Sequence, residues 1–133
     1  MGSISISIPP DNISSYPLDN LEQVTIAGGT YQDFVIGSPV EDVTGYSITA
    51  NGGNINIESL LPPNPNVTRS IVLVNANLNG QNRNIRLLHD GTALDPKSKI
   101  FTPNRANTYV IREYGSASIY WSVPHQRWLI EDR

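Results

Sequence analysis

Apolar and polar residues alternate with a period of two along most of this chain, in short runs stopped by Gly, Pro or Asn. That period puts every second side chain on one face, the pattern of a half-buried strand. The clearest case closes the chain. Ala117, Ile119, Trp121 and Val123 point one way, and Ser116, Ser118, Tyr120 and Ser122 the other. Pro124-His125 interrupts, because proline has no N–H for a ladder and suits a turn. Trp128 and Ile130 then oppose Arg127, Leu129 and Glu131. Both tryptophans of the chain lie in this hairpin. Each can bury roughly 150–250 Å², so Trp121 and Trp128 are read as core anchors. Tyr120, on the other face, is a candidate oligomer contact.

The same alternation runs through the body, read as residues 21–133. Glu22–Ala27 is a short strand ended by Gly28-Gly29, and Gln32–Ile36 a second, stopped by Gly37-Ser38-Pro39. Gly45–Glu58 reads as a hairpin: Tyr46 and Ile48 share a face, Asn51-Gly52-Gly53 is a tight-turn signal, and Ile55 and Ile57 resume. Pro62-Pro63-Asn64-Pro65 excludes regular structure. Ser70–Ala76 is apolar on both faces, as a central strand is. Asn84–His89, Ile100-Phe101 and Ala106–Glu113 follow. About nine short strands, spaced by roughly 8–12 residues and without an amphipathic helix, predict an all-β fold. The expected architecture is an antiparallel β-sandwich of jelly-roll type. No internal repeat of about 20–50 residues shows in the letters.

Residues 1–20 differ. Ser3-Ile4-Ser5-Ile6-Ser7-Ile8 alternates strictly until Pro9-Pro10, and Ile13, Tyr16 and Leu18 are single apolar residues in a polar stretch. A solvated tail needs no apolar face, so this segment reads as an extended N-terminal arm. Ile4, Ile6, Ile8, Ile13, Tyr16 and Leu18 are its candidate partner-binding residues.

Chemistry is sparse. There is no cysteine, hence no disulfide, thiolate metal site or thiol nucleophile. His89 and His125 lack metal-ligand spacing; His89 reads as a strand-end residue at the core edge and His125 as a solvated turn residue. Glu41-Asp42 is the only internal pair of adjacent carboxylates and reads as a solvated loop. No phosphate-binding or nucleophile motif occurs. The expectation is no enzyme, no catalytic residue, no metal and no cofactor. The net charge of −3, with nine scattered basic residues, lacks the concentrated patch of a nucleic-acid binder. No run reaches the roughly 18 apolar residues of a membrane span, and Met1–Pro10 has no signal-peptide pattern. Neither nucleic acid nor membrane is expected as a partner, and synthesis in a cytoplasm is.

Four segments carry a resemblance. They are Gly29-Thr30-Tyr31-Gln32-Asp33-Phe34, Arg69-Ser70-Ile71-Val72-Leu73-Val74-Asn75, Asn84-Ile85-Arg86-Leu87-Leu88-His89, and the closing Ser118-Ile119-Tyr120-Trp121 with Arg127-Trp128-Leu129-Ile130. In order and spacing they resemble bacteriophage head decoration (cement) proteins and related tail-fibre β-modules. The resemblance implies a virion structural protein, homotrimeric, on the outer capsid surface and bound to the major capsid protein. Its alternative is a tail-fibre or baseplate adhesin module that binds host glycan, with Tyr31 and Tyr114 as stacking residues. The closing turn departs from the family's usual Asp-Gly, being Pro124-His125 here. The arm would suit docking by strand addition.

Overall fold

A computed structural model describes residues 21–77 and 83–131. The fold is all-β, as the alternation predicts, but it is a β-solenoid of about four turns and not a jelly-roll sandwich. The strands are Leu21–Tyr31 (β1), Gly45–Ile57 (β2), Arg69–Asn75 (β3), Ile85–Leu88 (β4), Ile100–Phe101 (β5), Thr108–Ile111 (β6), Ser116–Ser122 (β7) and Arg127–Glu131 (β8). Three short 3-10 turns, Val40–Asp42, Pro96–Ser98 and Pro103–Arg105, lie between them.

Ladder direction overturns the sandwich. β1 pairs with β2 in parallel, and β2 pairs in parallel with both β3 and β4. An antiparallel sandwich joins neighbouring strands by turning back, whereas here the chain travels round and returns in the same direction one coil along. Leu21 lies beside Gly45, and Gly45 beside Val72; Gly29 lies beside Ile55, and Ile55 beside Ile85. The chain therefore has a structural repeat although its letters show none.

The expected Gly45–Glu58 hairpin does not form. β2 continues through Asn51-Gly52-Gly53, so its first half pairs with β3 and its second half with β4. Gly52 has φ +91°, which favours glycine. A Cβ on Gly28 would lie 2.8 Å from Gly53 Cα. The glycine pairs of successive coils thus sit against each other and make the bend between two faces of the solenoid. A third side is thinner. Phe34 N–H donates to Ser59 O (3.0 Å), Leu61 N–H to Phe34 O (3.0 Å), and Leu60 N–H to Ser98 O (2.9 Å). The expected strand Gln32–Ile36 is reduced there to one bridge, Phe34 to Leu60.

Inward side chains form columns across the coils. One runs through Tyr46, Leu73 and Ala117, another through Ile55, Ile85 and Ile111, all of them buried. Each fully buried aliphatic side chain contributes about 1.5–3 kcal/mol. β3 is not apolar-buried on both faces as expected: Ile71 and Leu73 are buried, while Val72 and Val74 are only half-buried. The C-terminal end reverses direction. β7 pairs antiparallel with β3, β8 with β7, and β6 with β4. Trp121 and Trp128 face each other in that hairpin, each 0% exposed. Their indole N–H groups donate to the third side, Trp128 to Leu60 O (3.0 Å) and Trp121 to Lys97 O (3.3 Å).

Candidate functional site

Two features stand out on the surface of the solenoid. The first is an edge. β1 is eleven residues long and pairs on one side with β2; among the described residues nothing pairs with its other side. Gln23, Thr25 and Ala27 are exposed on it, while Ile26 is buried. An unpaired strand edge presents N–H and C=O groups to any added strand.

The second is a cavity of about 310 Å³ at the bend where the third side returns to the first face. Its inner wall is made by Tyr46, Leu60, Ile71 and Trp128, all buried, and its rim includes Val35 and Leu61, 55% and 51% exposed. Two loops from successive coils frame it, one carrying Ser38–Glu41 and the other Pro62–Asn64. The loops are tied together. Glu41 Oε2 accepts from Asn64 N–H (3.0 Å), and Arg69 donates from Nε to Val40 O (3.2 Å) and from Nη2 to Glu41 O. The Asn64 N–H holds the Glu41 carboxyl below its ordinary pKa.

The edge and the cavity are tied by hydrogen bonds. Glu22, second residue of β1, accepts from Ser38 N–H and Ser38 Oγ, both at 2.7 Å. These bonds lower the pKa of Glu22, the backbone one most. Ser38 lines the cavity, and its carbonyl accepts from Tyr46 Oη. Burial above all, then the nearby carboxylates of Glu22, Glu41 and Asp42, push the Tyr46 hydroxyl up to about 12. The cavity is mostly apolar, with Ser38, Glu41 and Asn64 as polar residues in its lining. It can hold hydrocarbon or an aromatic ring, and it offers one buried hydroxyl at its edge.

Ile4, Ile6, Ile8, Ile13, Tyr16 and Leu18 lie outside the described residues. Tyr120 is half-buried on the outward face of β7, between Ser70 and Leu129. Tyr31 stacks on Phe34 with centroids 4.3 Å apart, and Tyr114, 71% exposed, belongs to the turn between β6 and β7. His89 Nδ1 accepts from Thr102 N–H (3.1 Å) and its ring lies 5.3 Å from Phe101. His125 is exposed, with Nδ1 2.7 Å from Ser122 Oγ. Among the described residues no three His, Cys, Asp or Glu side chains cluster as a metal site does, and no helix is long and apolar enough to cross a membrane.

The alternation does not reveal the cavity: Leu61 opens the Pro62-Pro63 loop where period-two reading stops, and Val35 lies in the segment read as a strand, of which only the Phe34 bridge forms. A second missed feature is buried Asn75. Its Nδ2 donates to Arg83 O (3.0 Å) and Ile111 O (2.9 Å), and its Oδ1 accepts from Asn77 N–H (3.0 Å) and Asn77 Nδ2 (2.7 Å). Asn77 Oδ1 accepts from Ala50 N–H (3.0 Å). One amide thereby joins three segments at a bend.

No family model, curated protein or solved structure matches this chain.

Proposed function

We propose that this chain is a virion structural protein that decorates a phage head and cements it by binding the major capsid protein. The observation that carries the proposal is the β1 edge, eleven residues long and unpaired on one side among the described residues. Residues 1–20 run directly into it, and their Ser-Ile alternation is itself strand-like. Strand addition gives affinity through main-chain bonds and selectivity through alternate side chains. A body of stacked coils supports that use, because each coil is held by ladders to its neighbours and presents a stiff edge. In this reading the protein associates as a homotrimer, and outward-facing Tyr120 contributes to that contact.

The test is co-sedimentation of the full chain with expanded capsids, together with its mass by light scattering and its location in purified particles by electron microscopy. Saturable capsid binding by a trimer is expected. A monomer that leaves capsids unoccupied overturns the proposal. Glycan-array binding that is lost in Tyr31→Ala or Tyr114→Ala would transfer the function to the adhesin alternative.

A further inference from the structure

Residues 1–20 join the body beside the cavity. Leu21, where the described residues begin, precedes Glu22, whose carboxylate is bonded to cavity-lining Ser38. An extended chain covers roughly 3.3–3.6 Å per residue, so Leu18 reaches only about 10 Å from Leu21. Ile13, Tyr16 and Leu18 are the apolar residues of that stretch, and Pro9-Pro10 separates them from the Ser-Ile run. An apolar cavity of about 150 Å³ accommodates a benzene ring. The 310 Å³ here suits two apolar side chains, one of them aromatic. The rim residues Val35 and Leu61 gain burial if the cavity is filled from outside, at about 25 cal/mol per Å² removed from water.

We infer that the cavity between the Ser38–Glu41 and Pro62–Asn64 loops is a socket for the same chain's own Ile13–Leu18 stretch, seated by Tyr16 and Leu18. This deepens the strand-addition reading and rests on it. The arm divides at Pro9-Pro10 into an anchor held on the body and a Ser3–Ile8 hook left for the partner. An anchored hook needs less ordering when it binds, because its base is already fixed.

The native chain has no cysteine, so engineered pairs report without background. Full-length chains carrying Leu18→Cys with Leu61→Cys are compared with chains carrying Leu18→Cys and Asn51→Cys. Asn51 is exposed at the glycine bend of β2, on the same strand as cavity-lining Tyr46 but outside the cavity. Under mild oxidation at low protein concentration, the Leu61 pair is expected to form an intramolecular disulfide at least about tenfold faster, since docking raises effective concentration beyond what the tether alone gives. Equal rates for the two pairs overturn the socket. Disulfide dimers in place of the internal bond also overturn it, and assign the cavity to the arm of a second copy. Thermal melting checks that each variant is folded, and Val35→Cys replaces Leu61→Cys if that variant is not. No capsid enters this assay, so its failure is separate from failure of capsid binding.

Discussion

Two buried side chains show how single residues close the coils. Trp128 fills the core against Trp121 and bonds to Leu60 O. Trp128→Ala leaves a large void and orphans that carbonyl; a loss of about 3–5 kcal/mol is expected in denaturant unfolding. A change near zero would mean that the hairpin detaches without consequence for the coils. Asn75 carries no hydrophobic energy, yet its amide satisfies two carbonyls and two N–H donors. Each polar group left buried and unpaired costs about 1–3 kcal/mol, so Asn75→Ala should destabilise by at least about 3 kcal/mol. Tyr46 gives a pH signature. Its folded pKa is raised from 10.0 to about 12. Its contribution to stability is thus complete below about pH 10 and is lost as pH rises through about 12. Alkaline unfolding monitored by circular dichroism should show this loss, and Tyr46→Phe should flatten that part of the curve. An unchanged curve would place the alkaline sensitivity elsewhere.

At the scale of elements, glycines decide which turns are turns and which are bends. A Cβ on Gly45 would lie 2.1 Å from Val72 O, inside the parallel β2–β3 ladder, whereas a Cβ on Gly53 meets nothing within 4 Å. Gly45→Ala forces the coils apart and should cost about 1–3 kcal/mol, as overpacking does. Gly53→Ala should stay within about 0.5 kcal/mol of the parent, the range of surface changes. Equal costs in thermal melting would contradict the coil stacking. These two positions also show what was legible in the sequence. Alternation in Ser116–Ser122 and around Ile55 and Ile57 reveals strands and their inner faces, because side-chain direction is a local property. It does not reveal connectivity. Asn51-Gly52-Gly53 carries the same letters as a hairpin turn, and only the ladder with the next coil makes the chain run on. The cavity was hidden for a related reason. Its walls come from loops about a coil apart, and the bonds from Asn64 to Glu41 and from Ser38 to Glu22 exist only after the coils stack.

At the scale of the molecule, the two ends of the solenoid differ. The C-terminal end folds back through the antiparallel β6, β7 and β8, while the N-terminal end presents β1. Solenoids need their terminal coils covered, since an open coil exposes both apolar surface and unpaired backbone. If partner binding uses the β1 edge, charge placed along it should block association without harming the fold. Thr25 and Ala27 are exposed, so the double substitution Thr25→Lys and Ala27→Lys should change unfolding free energy by only about 0.5 kcal/mol per site. Capsid affinity should fall at least about tenfold, which is about 1.4 kcal/mol. Leu94→Lys, fully exposed and outside β1, is the control and should bind as the parent does. Full affinity in the double variant would remove β1 from the contact and leave the arm alone to carry it. Loss in the Leu94 variant as well would show that added charge, not the strand edge, governs binding; raising the salt concentration would then restore both.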